Sequence, residues 1–182
     1  MKKVYLGLLL SALGGLNLAP AQANNICDTQ LFKELVMSEK GGIKRPNIIP
    51  SRALKNIIDN EELLCPMQVE KDFNGDKVLD WVGILEQNNK FFLAAYISGR
   101  STHKLSKIKE YAKVPGNQYL DAASKKTLKR IAGVAPMKFG TNFVAIENQV
   151  NGNSIAYGWD GKKMVELIKF NFSSEVEDNR PL

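Results

Sequence analysis

The densest run of oxygen-bearing side chains is Asp72-Phe73-Asn74-Gly75-Asp76-Lys77-Val78-Leu79-Asp80. Asp72, Asn74, Asp76 and Asp80 fall at positions 1, 3, 5 and 9 of that run. A hard cation such as Ca²⁺ takes about six to eight oxygens, and alternate residues of a tight turn can face one centre. The backbone carbonyl of Val78, at position 7, is a further ligand of the right kind. Gly83 stands where an EF-hand carries its bidentate Glu, and the flanks read as strands, so an EF-hand is excluded. The competing reading is a metal-free turn, in which Asp and Asn side chains accept from nearby backbone N–H groups.

The pattern Asp-x-Asn-Gly-Asp-x-x-x-Asp, followed by an aromatic and apolar strand, resembles the calcium loop of FG-GAP and VCBS-type repeats. The resemblance covers residues 70–97, in one copy. It implies that Asp72, Asn74, Asp76 and Asp80 supply Ca²⁺ ligands within a β-hairpin. It does not imply a propeller, because one copy cannot build several blades. The family usually has Gly after the second Asp, and this chain has Lys77. A side chain there enters the left-handed region at a cost of roughly 1 kcal/mol and brings a positive charge to the ion. The expected Ca²⁺ is therefore weakly held and structural. The hairpin Trp159-Asp160-Gly161-Lys162-Lys163 resembles the end of small exported proteins with a single such loop.

A second chemical feature is cationic. Residues 100–130 carry Arg100, Lys104, Lys107, Lys109, Lys113, Lys125, Lys126, Lys129 and Arg130, opposed only by Glu110 and Asp121. Helical spacing puts Lys125, Lys126, Lys129 and Arg130 on one face, opposite Leu128 and Ile131. Such a face suits a protein partner or an anionic envelope component, including peripheral contact with lipid head groups. The alternative is a solvated helix face. No nucleic-acid motif is present, and nucleic acid is not an expected partner.

Catalytic sets are scarce. His103 is the sole histidine, flanked by Thr102 and Lys104, and reads as a surface residue. The chain has no Gly-x-Ser-x-Gly, no His-Glu-x-x-His and no phosphate-binding glycine loop. Glu61 and Glu62 are consecutive, so on a helix they point about 100° apart and do not share a site. The leading expectation is a small non-catalytic binding protein, with an inhibitor or immunity-like role in view. The alternative is a metal-dependent hydrolase of envelope polymers that uses the acidic loop.

These residues need a compartment and a scaffold. Residues 1–23 read as a cleavable signal peptide, with Lys2 and Lys3, an uncharged run from Val4 to Leu18, and Ala21-Gln22-Ala23 as the cleavage site. The run is shorter than the roughly 20 apolar residues that span a bilayer. The expected location is the periplasm or the exterior. The chain has 182 residues and a net charge of +6, and loss of the leader would remove two lysines and no acid, leaving it basic. An oxidising compartment favours pairing Cys27 with Cys65, the only two cysteines. That closure, of about 39 residues, stabilises by roughly 4 kcal/mol in the chain-entropy model.

The expected fold is α+β: one domain over 24–172, with 173–182 a flexible tail. Asp28 and Ser51 are expected to cap two helices, with Leu31, Phe32, Leu35 and Val36 on one and Leu54, Ile57, Ile58 and Leu64 on the other. The Cys27–Cys65 bridge would join them as an antiparallel helical hairpin. An antiparallel β-sheet of about five or six strands follows, drawn from seven candidate segments, 67–71, 81–86, 91–98, 104–114, 143–149, 154–159 and 163–170, of which 104–114 also fits a short helix. A further helix is expected from Asp121 to about Ala132. Asn151-Gly152 and Asp160-Gly161 predict hairpins, because a type I′ turn needs positive φ twice.

Overall fold

The computed structural model describes residues 27–39, 41–99, 102–133 and 142–171. The expected leader and tail lie outside these. Among the described residues, three helices and eight strands form an α+β fold. The helices are α1 (Gln30–Ser38), α2 (Arg52–Asn60) and α3 (Lys125–Ala132). The strands are β1 (Gln68–Lys71), β2 (Asp80–Gln87), β3 (Lys90–Ile97), β4 (Lys104–Tyr111), β5 (Gln118–Ser124), β6 (Phe143–Gln149), β7 (Asn153–Trp159) and β8 (Met164–Asn171).

The strands make two antiparallel four-stranded meanders, β1-β2-β3-β4 and β5-β6-β7-β8, where one sheet of five or six strands was expected. The difference comes from residues 118–124. Asp121, Ala122 and Ala123 read as the start of a helix, yet with Gln118, Tyr119, Leu120 and Ser124 they pair in full register with β6. Leu120 enters the central core, and Ser124, not Asp121, caps α3 by accepting from the Thr127 N–H.

Period-two alternation sends side chains of each sheet to two faces. Val82, Ile84, Leu93, Ala95 and Ile97 of the first sheet meet Leu120, Ala145, Tyr157 and Met164 of the second in one core. The outer face of the first sheet carries Trp81, Leu85, Phe92 and Tyr96, and α1 covers it with Phe32 and Leu35. The Trp81 ring lies across Gly83, where an added Cβ would stand 2.3 Å from it. The outer face of the second sheet carries Val144, Ile146 and Ala156, covered by Leu128 and Ile131 of α3. Helix, sheet, sheet and helix therefore stack as layers.

The expected helical hairpin does not form. The apolar side of α1 finds a larger surface on the sheet than a two-turn partner helix offers. Val36, assigned to that apolar side, is exposed, as is Leu64 beyond α2. Thr29 caps α1, while Asp28 pairs with Arg45 at 2.7 Å. Ser51 caps α2 as expected. The Cys27–Cys65 disulfide is present, with Cα atoms 5.4 Å apart. It ties the approach to α1 to the approach to β1. Arg45 reinforces that junction by donating to the Cys27 carbonyl and to Gln68 Oε1. Among the described residues, no helix is long and apolar enough to cross a membrane.

Candidate functional site

The acidic loop joins β1 to β2, and its side chains are aimed by the loop's own backbone. Asp72 Oδ1 accepts from the Gly75 and Asp76 N–H groups, and Oδ2 from Lys77 N–H at 2.9 Å. Asn74 Oδ1 accepts from Asp76 N–H, and Asp76 Oδ1 from Val78 N–H. Gly75 and Lys77 both have positive φ, 84° and 71°. Lys77 thus takes the left-handed position expected of it.

Ser98, at the end of β3, completes the site. Its hydroxyl lies 2.6 Å from Asp76 Oδ2 and 2.9 Å from Asp80 Oδ1. One hydroxyl proton serves two carboxylates. Asp80 is fully buried and accepts from the backbone N–H groups of Phe73, Asn74 and Ser98. The Asn74 amide donates to Asp76 Oδ2 and to the Ser98 carbonyl. The Ser98 bond comes first among the causes that hold the Asp76 carboxyl below its ordinary value. Burial pushes Asp80 the other way, above the usual range, against the pull of its hydrogen bonds.

Asp72, Asn74, Asp76 and Asp80 are therefore brought together. The donor set is all oxygen, which fits a hard ion in kind. Each carboxylate oxygen of the three aspartates also accepts a hydrogen bond from the protein, so an ion would have to share or displace N–H and O–H donors. Asp80 acts first as a cross-link from the loop to Ser98. Among the described residues, no group of three or more His, Cys, Asp or Glu side chains is arranged to hold a metal ion. His103 stacks on Tyr96, with centroids 4.9 Å apart, and its Nε2 lies 3.0 Å from the Leu79 carbonyl. It buttresses the far side of the loop.

Of the cationic residues, Lys125, Lys126, Lys129 and Arg130 lie on α3, and Lys104, Lys107 and Lys109 on β4. Lys126, Lys129 and Arg130 are exposed and Lys125 is half-buried. Leu128 is buried on the opposite side. Gly133, at φ 68°, ends the helix. Lys129 and Arg130 occupy the last turn, where the helix dipole favours positive charge. Lys125 and Lys126 occupy the first turn, where it does not.

A polar cluster inside the sandwich was not anticipated. Glu147 of β6 is fully buried. Tyr111 Oη donates to its Oε1 and Tyr157 Oη to its Oε2, both at 3.0 Å. Lys109 Nζ lies 2.5 Å from Oε2 and 4.7 Å from the centre of the Tyr111 ring. Burial raises both phenols well above the ordinary tyrosine range, and Glu147 raises them further. The signal was present in the alternation of β6, which puts Glu147 on the same face as Phe143 and Ala145.

Comparison with protein-family models, with curated proteins and with solved structures finds no match to this chain.

Proposed function

We propose that this is a small exported, non-catalytic protein that binds an anionic envelope component or an acidic protein partner through α3. One observation carries the reading. Lys125 and Lys126 stand in the first turn of α3 against the helix dipole, and neither they nor Lys129 and Arg130 have a carboxylate partner among the described residues. Helix stability gives no reason for cations at that end. A fixed row of uncompensated charge does serve electrostatic docking. An inhibitor or immunity-like role is one form such docking would take. The Cys27–Cys65 disulfide accords with an oxidising compartment.

Within this reading Ca²⁺ is an optional structural ligand. Asp72, Asn74, Asp76 and Asp80, with the Val78 carbonyl, are the residues that would hold it. Competition from the loop's own donors and the charge of Lys77 keep the affinity low. The test of the function is binding of an anionic ligand by the parent and by a variant with Lys125, Lys126 and Lys129 reversed to Glu. Loss on reversal supports the reading, and equal binding makes α3 a solvated face.

A further inference from the structure

A groove of about 480 Å³ opens between the β3–β4 connection, the first residues of β4 and the β7–β8 hairpin. That volume is within the range of small-ligand sites. Ile97, Leu105 and the half-buried Trp159 form its apolar wall. Thr102 and Ser106 add hydroxyls. Lys104 and Lys162 stand exposed at its rim.

Among the described residues no acid lines the groove, and Asp76 is held just beyond it by the hydroxyl of Ser98, which does line it. The nearest in sequence, Asp160, accepts from the Lys162 and Lys163 backbone N–H groups at 2.8 Å and is spent on the turn. Of the other exposed lysines, Lys44 pairs with Glu86, Lys90 with Glu110 and Lys169 with Glu166, while Lys71, Lys107 and Lys163 have no carboxylate partner among the described residues. Lys104 and Lys162 have none among the described residues. An aromatic wall, hydroxyls and two uncompensated cations around a concave surface are complementary to a sugar ring that bears a carboxylate. The indole takes the C–H face of the ring, the hydroxyls meet its hydroxyls, and the ammonium groups take the acid. An acidic peptide would use the two lysines and leave Trp159 without a role.

We infer that this groove is a binding site for an acidic oligosaccharide, of the oligouronate class. The site is separate from α3, and its test does not depend on the reading of that helix.

The chain has two tryptophans, and Trp81 is only 1% exposed, so ligand-induced fluorescence change reports Trp159. Trigalacturonate, neutral galactotriose and a penta-glutamate peptide are titrated into the full chain. The expected result is a fluorescence change with trigalacturonate that Trp159→Phe abolishes. A Lys104→Gln, Lys162→Gln variant should raise the Kd about tenfold or more, the loss expected for charge-assisted contacts. Lys90→Gln, at the start of β3 and away from the groove, should leave it unchanged. Far-ultraviolet dichroism confirms that each variant is folded, and calorimetric titration gives the Kd of Trp159→Phe independently of its lost signal. Absence of trigalacturonate binding at millimolar concentration overturns the inference. So does galactotriose binding as tightly, penta-glutamate binding as tightly with no effect of Trp159→Phe, or loss of binding only in the Lys90→Gln variant.

Discussion

Ser98 holds two carboxylates with one hydroxyl, and their titration should expose that. Asp76 titrates below its ordinary value, led by the Ser98 bond. Its contribution to stability is present above the unfolded value of about 3.9 and is lost as pH falls through the lower folded value. Asp80 titrates high because it is buried, so its contribution is present below the unfolded value and is lost as pH rises through the folded one. Ser98→Ala removes a lowering influence from both. NMR titration of the side-chain carboxyls should show Asp76 moving up toward the ordinary value and Asp80 moving higher still. An unmoved Asp76 would contradict the role given to Ser98. Lys77 belongs to the same scale. In calorimetry with millimolar Ca²⁺, Lys77→Gly should give a larger rise in midpoint than the parent, and Asp76→Ala should give none. No response in the parent or in Lys77→Gly would reduce the loop's resemblance to one of turn shape.

Elements show where sequence patterns are decisive and where packing overrides them. The loop residues and the long strands β2, β3, β6 and β7 were legible, because each is a short run rich in apolar, β-branched or aromatic residues bounded by turn residues. Turn type was less so. The tight turn with two positive φ values is Asn88-Asn89, at 52° and 60°, between the paired Gln87 and Lys90. Asn151-Gly152 and Asp160-Gly161 sit in longer connections, where only the glycine has positive φ. Strand β5 was hidden by its alanines, which suit a helix as well, and by Asp121, which looks like a cap. Its pairing with β6 is non-local, and short-range pattern does not carry it. The helical hairpin failed for a related reason: helical spacing marks the apolar side of α1 but not the surface that receives it. The disulfide was legible from the count of two cysteines and the expected compartment. Its removal should matter because it fastens α1's approach to the start of the first sheet. Cys27→Ser should cost about 2–4 kcal/mol in oxidising conditions, measured by urea unfolding. A variant as stable as the parent would show that Arg45 and its partners suffice.

At the largest scale, two sheets face each other across an apolar core that encloses the carboxylate of Glu147. Glu147 of the second sheet is held by Tyr111 and Lys109 of the first and by Tyr157 of its own. Removing one member of a buried ion pair leaves its partner's charge uncompensated and costs about 3–5 kcal/mol. Glu147→Ala should destabilise by up to that amount in equilibrium unfolding, since it leaves two phenols between the sheets and the partly exposed Lys109 without its partner. A loss below about 1 kcal/mol, the range of surface pairs, would mean that solvent reaches the cluster.

On the outside of the same molecule, α3 presents the charge on which the proposed function rests. Each basic residue near an anionic surface contributes about 1 kcal/mol, so reversing Lys125, Lys126 and Lys129 to Glu should weaken binding by at least about a hundredfold. Co-sedimentation with phosphatidylglycerol vesicles at low and at physiological salt is the direct measurement. The parent should bind, more weakly as salt rises, and the reversed variant should stay in solution at both salt concentrations. Equal partitioning of parent and variant, or binding indifferent to salt, would contradict electrostatic docking through α3.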